Sequence, residues 1–131
     1  MAERIEKTNA MRALDQRRIP YDAFTYDPAI HDAGEVATVL DLPPDRVYKT
    51  LVLERDRGLT LLVMTSAATE LDLNKLAREL GEKRVEMAPR REAERLTGLQ
   101  VGGIGALALL GKRFDVCIDV AARNLDWLLV N

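Results

Sequence analysis

Two hydrophobic periods run along this chain, and the points where one gives way to the other mark its elements. Between about Thr8 and Arg18, Ala10, Met11, Ala13 and Leu14 gather on one side of a predicted helix, which Pro20 ends. Tyr21 to Tyr26 alternates instead, with Phe24 and Tyr26 on one face, and predicts a strand. Asp27-Pro28 opens a loop that carries His31. Asp32-Ala33-Gly34-Glu35 has capping-box spacing, and Val36, Val39 and Leu40 extend it as a short amphipathic helix. After Pro43-Pro44-Asp45, the run Val47-Tyr48-Lys49-Thr50-Leu51-Val52-Leu53 is rich in β-branched, aromatic and aliphatic residues and fits no helix period, so it predicts a strand. Asp56-Arg57-Gly58 is a turn, and Leu59 to Met64 returns as its hairpin partner.

Leu73, Leu76, Ala77 and Leu80 recur at helical spacing, with Gly81 as the natural C-terminal glycine. Val85 and Met87 predict a short strand. Pro89 opens a helix through Leu96 that Gly98 closes. Strands are predicted at Leu99–Gly103, at Phe114–Val120 with Phe114, Val116 and Ile118 on one face, and at Leu125–Val130. Helices and strands alternate irregularly around one clear hairpin, which favours a mixed α+β sheet over a regular doubly wound one.

At 131 residues the chain suits one domain with a single core, and 47% hydrophobic with 31% charged residues is an ordinary globular balance. No apolar run is long enough to span a bilayer, and the charged start Met1-Ala2-Glu3-Arg4-Ile5-Glu6-Lys7 lacks a signal-peptide core, so a cytoplasmic protein without membrane partners is expected. A single cysteine, Cys117, excludes an internal disulfide framework. With His31 as the sole histidine, no His/Cys metal site is expected either. A net charge of −2 excludes bulk polyanion binding, so a nucleic-acid contact needs a local patch.

Two stretches carry candidate chemistry. On the predicted strand Lys49 shares a face with Val47, Leu51 and Leu53, so an ammonium interrupts an aliphatic row. Either it snorkels to water from a strand edge, or it stands in a cleft or against a counter-charge. The second stretch is Gly102-Gly103-Ile104-Gly105-Ala106. Its glycines allow close backbone approach to a ligand and positive φ, and exposed N–H groups there can receive an anion or an ester carbonyl; a plain glycine-rich turn leaving a strand has the same composition. It matches neither the dinucleotide fingerprint nor the phosphate-loop pattern. Cys117 sits between Val116 and Ile118 and reads as a strand thiol, and His31 reads as a surface residue with no acid or nucleophile at partner spacing.

Four blocks in order, Val47–Val52, Leu71–Ala77, Lys83–Ala88 and Thr97–Ile104, resemble the YbaK/EbsC family, free-standing aminoacyl-tRNA deacylases related to the editing domain of bacterial prolyl-tRNA synthetases. The resemblance implies a curved, partly barrel-like mixed sheet surrounded by helices. It also implies that Lys49 is the catalytic cation and that Gly102, Gly103, Ile104 and Gly105 lie beside the aminoacyl group. Tyr26 matches a family position at the pocket wall; Thr50, beside Lys49, and Thr65, after the hairpin strand, are further substrate-binding candidates. Lys112 and Arg113, if they flank the glycine loop, are positioned for tRNA phosphates. The implied substrate is a mischarged aminoacyl-tRNA bound by its acceptor end, Cys-tRNA(Pro) first and Ala-tRNA(Pro) as the alternative. Prolyl-tRNA synthetase is an optional further partner, and neither cofactor, metal nor DNA is implied. A non-catalytic module of the same fold, binding aminoacyl-tRNA or a nucleotide, is the rival.

The chain also departs from the family. Gly105-Ala106 stands where members commonly carry Ser-Pro, and Asn131 falls at about the position of a serine that leads into a further strand and short helix. The expectation is therefore a single editing domain over residues 1–131 without those C-terminal elements.

Overall fold

The computed structural model describes residues 6–131, and the start of the chain, Met1 to Ile5, lies outside them. Helices α1 (Asn9–Gln16), α2 (Ala33–Val39), α3 (Leu73–Leu80) and α4 (Arg90–Thr97) accompany strands β1 (Tyr48–Arg55), β2 (Thr60–Ser66), β3 (Val85–Met87) and β4 (Phe114–Ile118). Asp32, Gly81 and Gly98 cap as their sequence context predicts, and Thr8 and Asp72 prove to be N-caps as well. Thr8, Asp32 and Asp72 each accept a backbone N–H in the first turn of their helix, and Gly81 and Gly98 close α3 and α4 at φ +71°. Among the described residues, no helix is long and apolar enough to cross a membrane.

The strands form one open mixed sheet in the order β3-β1-β2-β4. The hairpin β1–β2 is antiparallel with Lys49 opposite Thr65, β3 adds antiparallel to the far end of β1, and β4 adds parallel to β2. This is the expected α+β class with a mixed sheet, and the sheet is not closed into a barrel. Alternation along the hairpin sorts the core. Tyr48, Val52, Leu62 and Met64 pack on one face with Ala93 of α4 and with Ile104, Ala106 and Leu109, while Leu53, Leu61 and Val63 pack on the other with Ala77 of α3 and Val85. Leu53, Leu61 and Leu62 are fully buried, each contributing about 1.5–3 kcal/mol of transfer free energy. Arg55, nearly enclosed, clamps the hairpin to β4: its Nε donates to the Leu59 carbonyl at 2.7 Å and its guanidinium pairs with Asp115 and Glu82.

Three predicted strands do not form. Tyr21–Tyr26 and Leu99–Gly103 are irregular, and Leu125–Val130 makes a single bridge, Leu129 to Val47. Alternation reports which side chains are buried, whereas a strand also needs a partner edge. The edge of β1 is shared between Leu129 at one end and β3 at the other. Leu99 and Val101 still pack against the core, on a turn closed by the Gly103 N–H to the Gln100 carbonyl at 2.8 Å. On β4 the predicted apolar face is real but incompletely covered: Val116 and Ile118 are exposed because β4 is the outermost strand.

Candidate active site

The site begins with a gap in the sheet. On the edge of β1 away from β2, the Tyr48 N–H donates to the Leu129 carbonyl at 2.9 Å and the Leu129 N–H to the Arg46 carbonyl at 2.8 Å. Farther along, the Ala88 N–H donates to the Val52 carbonyl at 2.9 Å. Backbone groups alternate in direction along a strand, so those of Thr50 point to the same edge as those of Tyr48 and Val52. Between the two pairings the Thr50 N–H and C=O make no hydrogen bond among the described residues.

That gap opens into a cavity of about 320 Å³, walled by β1, the start of α2, the start of α4 and the glycine loop. Lys49, Thr50, Gly102 and Ile104 all line it. Lys49 and Thr50 point to opposite faces of β1, yet both reach the cavity because it lies at the strand's edge. Lys49 is half-buried, and none of the ion pairs among the described residues includes it. The Asp32 carboxylate lines the same cavity but caps α2, accepting the Glu35 N–H at 3.0 Å, and makes no ion pair with Lys49.

The glycine loop is held from several sides. The Thr50 hydroxyl accepts the Ala106 N–H at 3.3 Å, and Glu94 of α4 accepts the Val101 N–H at 2.9 Å. With the Gly103 N–H bonded to Gln100, the N–H groups of Gly102, Ile104 and Gly105 remain without a partner among the described residues. Gly102 is at φ +95°, and a Cβ there would collide with the His31 ring. Gly105 is buried, and a Cβ would stand 2.5 Å from the Asn131 carbonyl oxygen. Gly103 is exposed and has room for a Cβ, 3.5 Å from the nearest atom, so the expected intolerance lies at Gly102 and Gly105 instead.

The other predicted residues fall in different places. Tyr26 is outside the cavity wall but joins the loop indirectly: its hydroxyl donates to Asn131 Oδ1 at 3.1 Å, and Asn131 Nδ2 donates to the Gly102 carbonyl at 3.2 Å. Thr65, opposite Lys49, lines a separate cavity of about 330 Å³ together with Cys117. Lys112 and Arg113 are exposed at the start of β4 and do not line the Lys49 cavity. Three polar residues not expected at the site from the sequence line it: His31, exposed but seated against Gly102, Asp32 at the N-cap of α2, and Arg90 at the first turn of α4. His31 gave no signal because its neighbour is seventy-one positions away, and Arg90 was hidden in a pattern of alternating surface charges.

Cys117 is apart from this site, and burial pushes its thiol pKa up, which leaves little thiolate at neutral pH. Cys117→Ala is accordingly expected to keep full hydrolytic activity and to cost on the order of 1 kcal/mol of stability, measured by denaturant unfolding beside a deacylation assay.

With this geometry in view, the family model described as the aminoacyl-tRNA editing domain matches residues 27–131, which hold the gap, Lys49 and the glycine loop. The chain belongs to the aminoacyl-tRNA editing domain family. It is 31% identical over 128 residues to EbsC of Enterococcus faecalis, named as a candidate Cys-tRNA(Pro)/Cys-tRNA(Cys) deacylase, covering 96% of this chain and 77% of that protein. It is also 31% identical over 125 residues to a proline–tRNA ligase of Staphylococcus saprophyticus, covering 94% of this chain and 21% of the ligase. In solved structures, a candidate trans-editing enzyme for prolyl-tRNA synthetase shares the fold at a TM-score of 0.72 and 21% identity, covering 96% of this chain and 81% of that one. As a member of the editing-domain family, the protein is an aminoacyl-tRNA deacylase, a hydrolase of the ester between amino acid and tRNA.

Proposed function

We propose that the protein edits in trans, removing a mischarged amino acid from tRNA(Pro), with Cys-tRNA(Pro) as the preferred substrate, in the cytoplasm. The observation that carries this reading is the meeting of the unpaired Lys49 ammonium, the Thr50 backbone and the Gly102 turn on one small cavity. Its size suits an amino acid and the ester, with the rest of the tRNA outside. Hydrolytic editing is needed where side chains differ by little, since one methylene in a binding pocket is worth only about 1–3 kcal/mol.

In this reading the Thr50 carbonyl accepts from the substrate's α-ammonium, and the open N–H groups of Thr50, Gly102 and Ile104 hold the ester carbonyl as charge develops on it. Lys49 supplies the positive field for that oxyanion or for the neighbouring phosphate. No side chain in the cavity is placed as a nucleophile, so the substrate or water supplies it. For a cysteinyl ester, the thiol sulfur attacks the carbonyl carbon, the bond to the ribose oxygen breaks, and the thiol proton ends on that oxygen. The four-membered thiolactone released then takes up water to give cysteine. For an alanyl ester, water attacks directly. The family likeness at the Lys49 and Gly102-Gly103-Ile104 blocks, and the similarity to EbsC, favour the cysteinyl case.

A panel of charged tRNA(Pro) tests this. Cysteinyl-tRNA is expected to be hydrolysed far faster than seryl-tRNA, which offers a poorer nucleophile of similar size. Fast hydrolysis of alanyl-tRNA would assign the alanyl reading, and equal rates on all three would overturn attack by the substrate thiol.

A further inference from the structure

A third cavity, of about 590 Å³, is bordered by Leu129, the residue bridged to Val47. The chain has two Phe, three Tyr and one Trp, and Tyr21, Phe24 and Trp127 all line this groove. Phe24 and Trp127 are 45% and 44% exposed, although neither belongs to a helix or strand that needs them on the surface. Arg46 covers one face of the indole, its guanidinium carbon 4.8 Å from the ring centroid, and its Nη1 pairs with Asp126 Oδ1 at 2.6 Å. The ring is thus held in place from one side, and a positive charge that would otherwise seek a phosphate is already answered.

The groove and the candidate active site share no lining residue, but one short stretch of chain links them. Leu129 borders the groove, bonds through its backbone to Arg46 and Tyr48, and directly precedes the Val130-Asn131 segment that reaches Gly102. Trp127 and Asn131 are four residues apart, so their Cα atoms are at most about 14 Å from one another. An aminoacyl-tRNA presents its ester at the end of an unpaired strand, and a few nucleotides of that strand cover this distance.

We propose that the Tyr21–Phe24–Trp127 groove binds an unpaired nucleobase of the tRNA acceptor end by stacking. This rests on the reading of the Lys49 cavity as the ester site. Aromatic side chains bind bases of single strands through their faces with little sequence preference, and Arg46 serves to hold the platform. Arg46 is already paired with Asp126, and Asp22 on the groove wall adds no cation, so the groove offers no free positive charge to a phosphate. Binding therefore depends only weakly on salt, unlike a phosphate contact, whose logarithmic salt slope is about −0.7 per phosphate on a single strand.

Trp127 is the sole tryptophan, so its fluorescence reports the groove directly. Titration of the full chain with the single-stranded RNA trinucleotide CCA is expected to quench that emission saturably, with little change between low and moderate salt. Phe24→Ala, which leaves the fluorophore in place, is expected to weaken the trinucleotide about 5- to 150-fold, the equivalent of 1–3 kcal/mol per stacked base. Trp127→Ala is expected to raise KM for aminoacyl-tRNA while leaving turnover of a small aminoacyl ester without nucleotides unchanged. Unchanged emission, equal quenching by an abasic trinucleotide, or quenching by a proline-rich peptide and not by the RNA would overturn the proposal. Quenching without deacylation would leave this site standing and remove the hydrolytic reading; deacylation without quenching would do the reverse.

Discussion

Lys49→Ala is expected to lower deacylation by roughly 100- to 1,000-fold, the range seen when one preorganised donor to a developing oxyanion is removed. Folding is expected to survive, because among the described residues Lys49 makes no ion pair whose loss would strand a buried charge. The Tm of the variant should therefore lie close to that of the wild type while product release from charged tRNA falls. Lys49→Arg should recover only part of the activity, since a planar guanidinium does not reproduce a compact ammonium in so small a cavity. Near-normal turnover by Lys49→Ala on every substrate the wild type hydrolyses would remove Lys49 as the positioning cation. Loss of folding would show that its charge is structural.

Gly102→Val is the second large effect. Glycine alone adopts φ +95° at little cost, and a side chain here must also displace the His31 ring. The loop then turns its free N–H groups away from Thr50, and deacylation should fall by at least tenfold with the circular dichroism spectrum preserved. Gly103→Ala, one residue on, is the internal control: with space for a Cβ and no positive φ, it should retain most of its activity. If the two variants lose activity equally, the conformation of Gly102 is not what places the ester.

Much of the fold was legible in the chain because local chemistry and tertiary structure agree there. Thr8, Asp32 and Asp72 cap helices that begin directly after them, Gly81 and Gly98 end two, and the Asp56-Arg57-Gly58 turn joins the hairpin. Tyr21–Tyr26, Leu99–Gly103 and Leu125–Val130 alternate as strands do, but pairing is a long-range property: on the edge of β1 away from β2 only Leu129 and β3 pair, and the outer edges of β3 and β4 take no further strand among the described residues. The site divides the same way. Lys49 was visible as a charge in an aliphatic row, and the glycine loop as a composition. What joins them is the gap at Thr50, which arises from where two distant segments stop pairing. The seating of His31 on Gly102 and the bridge from Tyr26 through Asn131 to Gly102 likewise depend on residues far apart in sequence.

The most direct measurement of whether this cavity performs hydrolysis is a multiple-turnover time course on Cys-tRNA(Pro), with the protein at about one-hundredth of the substrate concentration. Release of all the esterified cysteine is expected well ahead of the spontaneous rate, with each protein molecule turning over many times. Release at no more than the spontaneous rate, with the charged tRNA nevertheless bound, would contradict it and leave a module that recognises the aminoacyl end without cleaving it.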